Sequence, residues 1–121
     1  MNDWPVLRRY EGDSLKTIVM PIGGIGTGFF GLGGRGQLTD WQLMSRPNRG
    51  FRPMYSHMLL HTNQGGEKKL RVLEGDIVDG FDSDTGNPVI LAGVPRFKRS
   101  KFEVSFPFGR VHLQDDHTPV D

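Results

Sequence analysis

At 121 residues the chain is long enough for one domain with a core and too short to suggest two. Lys and Arg total 15 against 14 for Asp and Glu, so a net charge of +1 offers no footprint for nucleic acid or an anionic membrane. The absence of cysteine excludes disulfides, thiolate metal sites and Cys nucleophilic catalysis. With 17 glycines among frequent Leu, Ile, Val and Phe, the composition predicts short strands and many turns.

The first 16 residues, "MNDWPVLRRYEGDSLK", carry charge throughout and lack the apolar centre of a signal peptide. No later apolar run approaches the ~20 residues that span a bilayer. The expectation is a soluble, cytoplasmic protein. From Leu15 to Phe30, β-branched and aromatic residues are broken by Pro21 and by glycines that a helix interior does not tolerate. Two short extended segments meeting at a turn are predicted there. Leu38 to Leu43 reads as a third strand, and "SRPNRGFRP" after it as a polar loop. Ser56 to Thr62, the turn "NQGGEK" and "KLRVLEG" read as a hairpin. Turn formers from Asp82 to Pro88 predict a surface loop, with a short strand at Val89 to Ala92 behind it. From Arg96 to Phe106 apolar residues alternate with Lys98, Lys101, Glu103 and Ser105, which predicts a strand with one wet face. "FGRVHLQDD" repeats the alternation. Together these segments predict an all-β, antiparallel sandwich with at least one strand partner missing.

Eight glycines fall between Gly23 and Gly36, and "GTGFFG" (Gly26 to Gly31) matches G-x-G-x-x-G. A dinucleotide site needs that motif to open a helix and to be followed about 20 residues on by an acid. Here "LGGRG" follows, which starts no stable helix, and the distant stretch is "NRGFRP" with no carboxylate. A Walker A loop is excluded, because no Gly-Lys-Ser/Thr occurs. The better reading is structural: glycines that bring backbones close, supply positive φ or admit a bulge.

His57 and His61 lie four apart, but a zinc pair needs a third ligand and the Glu of H-E-x-x-H is replaced by Met58. Two histidines on the polar face of a strand are expected instead. "DSDTGN" (Asp82 to Asn87) begins like a calcium loop, yet its twelfth position is Gly93 rather than an acid. No metal and no cofactor is predicted. Hydrolysis by paired carboxylates needs two acids across a cleft, and no spacing singles out a pair. Asp40 beside Trp41 is the most suggestive, since an aromatic next to a carboxylate contacts sugars in many proteins.

The ordered phrases "MPIGGIGTGFFGLGGRGQLTDWQL", "RPNRGF", "RVLEG", "GVPRF" and "FPFGRVHLQD" resemble the N-terminal domain of glycoside hydrolase family 116. That family comprises β-glucosidases, including the non-lysosomal, bile-acid-type glucosylceramidases. The resemblance implies an N-terminal β-sandwich followed by a large (α/α)6 barrel. It implies retaining hydrolysis of β-glucosides, with a Glu nucleophile and an Asp general acid/base in that barrel. Catalytic residues are therefore expected in none of the positions here, and the chain is expected to be a truncated early part of the sandwich, inactive alone. Its expected partner is the (α/α)6 domain of the same protein, with substrate met only through it. Gly23, Gly24, Gly26, Gly28, Gly34, Arg35, Gly36, Asp40 and Trp41 carry the signature, in a packing or domain-contact role. Arg35, Asp40 and Trp41 are the candidates to reach a substrate rim. The rival reading is a stand-alone carbohydrate-binding or interaction module, with Trp4, Trp41, Phe51 and Tyr55 as sugar platforms.

Overall fold

A computed structural model of the chain describes residues 8–44, 46–77 and 93–118. In chain order the elements are β1 (Arg8–Tyr10), a 3-10 helix (Gly12–Lys16), β2 (Val19–Gly24), β3 (Gly28–Gly33), β4 (Leu38–Leu43), β5 (Leu59–Gln64), β6 (Glu67–Val72), β7 (Arg99–Ser105) and β8 (Phe108–Gln114). They form three antiparallel sheets, β1-β7-β8, β2-β3-β4 and β5-β6, with no α-helix among the described residues. The fold is all-β and sandwich-like, as the alternation predicts.

The β2-β3 hairpin closes over Ile25 to Thr27, where the sequence predicts a turn. Gly28 has to be glycine: its φ is +93°, and an added Cβ would lie 2.2 Å from the carbonyl oxygen of Gln42 on β4. The core gathers Leu15, Met20 and Phe102, with Tyr10, Ile18, Leu32, Val104 and Val111 packed against them. Residues of the sheets β1-β7-β8 and β2-β3-β4 meet at Gly109, where a Cβ would approach the Met20 sulfur to 2.7 Å and Phe102 to 3.3 Å. Period two in β7 sends Phe102 and Val104 inward, while Lys101 and Glu103 take the other face.

That other face is less wet than alternation predicts. Glu103 is only 8% exposed, because side chains from three strands close over its carboxylate. Arg9 Nε lies 3.0 Å from it, Lys101 Nζ 3.2 Å and His112 Nε2 3.0 Å. Phe106 continues the alternation in sequence but lies exposed beyond the end of β7. The β5-β6 strands also differ from expectation. Both the amide and the hydroxyl of Ser56 donate to the carbonyl of Pro53, at 3.0 and 2.8 Å, so the chain is still turning there and β5 begins at Leu59. The turn shrinks to Gly65-Gly66, both at positive φ, as a two-residue hairpin loop requires. The expected loop at Asp82 to Pro88 and strand at Val89 to Ala92 lie outside the described residues, as does Trp4.

Candidate functional site

The pairing of β3 with β4 slips by one residue, because Phe29 faces Gln42 but Gly31 faces Thr39. Asp40 and Trp41 thus oppose Phe30 alone in a β-bulge. Asp40 has φ +52°, a left-handed conformation usually left to glycine at such bulges. Its carboxylate accepts the Gly50 amide. Trp41 donates its backbone N–H to the Phe51 carbonyl at 3.3 Å, and Asn48 Nδ2 donates to the Trp41 carbonyl at 3.4 Å. The bulge therefore holds residues 46–53 against β4. The Trp41 ring stacks on Phe30, centroids 4.9 Å apart and 20° from parallel, while its Nε1 is buried with no hydrogen-bond partner among the described residues.

The same segment is fastened at its far end. Arg52 pairs with Glu74, which Arg96 approaches to 3.4 Å, and all three side chains are at least nine-tenths buried. Beside them the Arg35 guanidinium donates to the Gly75 carbonyl at 2.8 Å, and its own carbonyl accepts the Gly75 amide at 2.7 Å. The structure thus joins Asp40 and Trp41 to one end of the 46–53 segment. Arg35 sits with the Glu74 group, bonded to Gly75. Between the two fastenings Leu43, Met44 and Phe51 are exposed, and so are Met54 and Tyr55 just beyond Arg52.

The signature glycines have distinct surroundings. Cβ atoms at Gly23 and Gly34 would strike neighbouring backbone at 2.3 and 2.6 Å, and Gly36, at φ +93°, abuts the Leu73 carbonyl. Gly24 ends β2, where a Cβ would lie 3.2 Å from the Thr27 hydroxyl, and Gly26 stands in the hairpin turn with nothing within 4 Å. Of the pair His57 and His61, only His61 lies on a strand. His57 precedes β5, so the two histidines do not share a strand face. Among the described residues no group of three His, Asp or Glu could hold a metal ion.

The Glu74 group has no counterpart in the sequence reading, although "RVLEG" contains Glu74, "GVPRF" contains Arg96 and Arg52 follows "RPNRGF" directly. Its members are 22 residues apart on either side, a spacing that marks nothing until the chain folds. The other enclosed carboxylates are also engaged. Hydrogen bonds from His112 and then Lys101 hold Glu103 below its ordinary pKa, and Arg71, 2.9 Å away, does the same for Asp115.

Strands, buried ion pairs and a clamped loop define an all-β domain whose enclosed acids act as anchors for its own chain. Compared with known families, residues 19–121 match the description "beta-glucosidase 2, glycosyl-hydrolase family 116 N-term". The chain belongs to glycosyl-hydrolase family 116, as its N-terminal domain. A match to an N-terminal domain implies a larger protein with another domain. Comparison with curated proteins gave no significant match. No helix among the described residues is long and apolar enough to cross a membrane.

Proposed function

We propose that the chain is the early part of the accessory β-sandwich of a retaining, glucosylceramidase-like β-glucosidase. In this reading the Glu nucleophile and the Asp general acid/base belong to a separate (α/α)6 domain. The chain's own work is to support that domain, with Arg35, Asp40 and Trp41 fixing the segment that meets it or borders its substrate.

The observation that carries the reading is the engagement of the acids. A glycosidase needs one carboxyl kept protonated near neutral pH, its pKa raised by an apolar or anionic setting. Glu103 and Asp115 are pushed the opposite way by cations. Asp40 is spent on the Gly50 amide and Glu74 on two guanidinium groups. The cytoplasmic location belongs to the same proposal, resting on a chain that has no cysteine to cross-link.

The test is to incubate the purified 121-residue chain with an aryl β-glucoside and, separately, to titrate it with cellobiose. Neither turnover nor saturable binding is expected. Turnover by the chain alone would overturn the reading, and cellobiose binding lost in Trp41→Ala or Tyr55→Ala would replace it with a carbohydrate-binding module.

A further inference from the structure

Three of the chain's five methionines, Met44, Met54 and Met58, belong to the connection between β4 and β5. They are 82%, 65% and 51% exposed, although methionine is among the residue types most often buried. Met20 is the contrast. It is 8% exposed, and its sulfur lies so deep between the sheets that a Cβ on Gly109 would come within 2.7 Å of it.

The connection is held in place while it presents these side chains. The Met44 amide donates to the Thr27 carbonyl at 3.4 Å, the Phe51 carbonyl accepts the Trp41 amide, Arg52 pairs with Glu74, and the Met58 carbonyl accepts the Leu73 amide at 2.9 Å. Met44 keeps its exposure at φ +55°, a left-handed conformation uncommon for a long side chain, and such outliers gather at functional sites.

A thioether sulfur reacts with peroxide through a lone pair and has no proton to lose first. The chain has no cysteine, so no thiolate competes with its methionines for an oxidant. Leu43, Phe51, Tyr55 and Leu59 are exposed along the same stretch, so a polar S–O group placed among them changes the character of that surface.

We propose that Met44, Met54 and Met58 form a reversible oxidation site, at which hydrogen peroxide turns an apolar surface polar while the domain stays folded. The sulfur lone pair takes one peroxide oxygen: the O–O bond breaks, an S–O bond forms, water leaves, the sulfur is oxidised and the peroxide reduced. A dithiol, acting through the methionine sulfoxide reductases, reverses the step. The oxygen then leaves as water and the dithiol closes to a disulfide. The inference does not depend on the glycosidase reading.

The test treats the 121-residue chain with hydrogen peroxide and follows each methionine by peptide mass mapping, which also separates Met1, a residue outside the described ones. Met44, Met54 and Met58 should each be oxidised about tenfold or more faster than the enclosed Met20, because access to the sulfur sets the rate. Retention on a phenyl hydrophobic-interaction column should fall, with the melting temperature unchanged, and the reductases with dithiothreitol should restore it. A variant carrying Met44→Leu, Met54→Leu and Met58→Leu keeps an apolar surface that cannot be oxidised, and should lose little retention under the same treatment. The proposal is overturned if Met20 reacts as fast as the other three, if their oxidation lowers the melting temperature, if column retention is unmoved, or if the reductases fail to reverse the change.

Discussion

At Asp40 a backbone cost and a hydrogen bond meet in one residue. A left-handed φ disfavours an L-residue by about 1–2 kcal/mol, and Asp tolerates it better than most because its short side chain can bond locally. Here that bond reaches Gly50 and fixes the loop. Asp40→Ala should therefore cost about 1–3 kcal/mol, by loss of the acceptor beneath a part-buried amide. Asp40→Asn should cost less, since it keeps an acceptor oxygen and the tolerance for that φ, and urea titration of the two variants checks the order. Trp41 offers a contrasting case. Its Nε1 is buried without a partner among the described residues, so Trp41→Phe removes an orphan donor while keeping a ring to stack on Phe30. A change within about 1 kcal/mol of the parent is expected, since an unpaired buried donor itself costs about 1–3 kcal/mol. A larger loss would mean that the indole N–H has a partner. Glu74→Gln is the severe variant. It removes the anion that Arg52 and Arg96 share in a buried setting, and a loss of about 3–5 kcal/mol should appear in the same titration.

At the scale of elements, sequence legibility follows how local the determining contacts are. Leu38–Leu43 is readable to the residue, because a short run with Leu, Thr, Trp and Leu is bounded by glycines on one side and "SRPNRG" on the other. β5 is misplaced by three residues, because Ser56 and His57 carry no mark of the turn that Pro53 imposes on them. β1 goes unread: three polar residues, Arg8–Tyr10, become a strand only by pairing with β7, far along the chain. The bulge at Asp40 is equally silent, since the sequence places an aspartate where such a bulge usually takes glycine. The β1-β7-β8 sheet also makes a pH prediction. Glu103's pKa is lowered in the folded state, so its contribution is present above the unfolded glutamate value of about 4.3 and is lost as pH falls through the lower folded value. Melting temperature should decline below about pH 4.3 in the parent chain and decline less steeply in Glu103→Gln. An identical acid limb in both would remove Glu103 from the account.

For the whole molecule, the β1-β7-β8 and β2-β3-β4 sheets share one small core around Met20 and Phe102. The β5-β6 hairpin is tied to the end of β8 by Arg71 to Asp115 and by Lys69 to the His117 carbonyl. The class of the fold and the family were legible because they rest on alternation and on ordered phrases, both properties of the chain as a string. The engaged state of the acids was not legible, because it depends on which cation folding brings to each carboxylate. That engagement underlies the central claim, that this domain supports a glucosidase without performing its chemistry. The most direct measurement is a calorimetric titration of the 121-residue chain against a separately expressed (α/α)6 domain of a family 116 β-glucosidase, with aryl β-glucoside hydrolysis assayed before and after mixing. The account predicts a stoichiometric complex, no hydrolysis by the chain alone, and hydrolysis confined to samples that contain the helical domain. Hydrolysis by the chain alone, or no complex at any concentration reached, would contradict it.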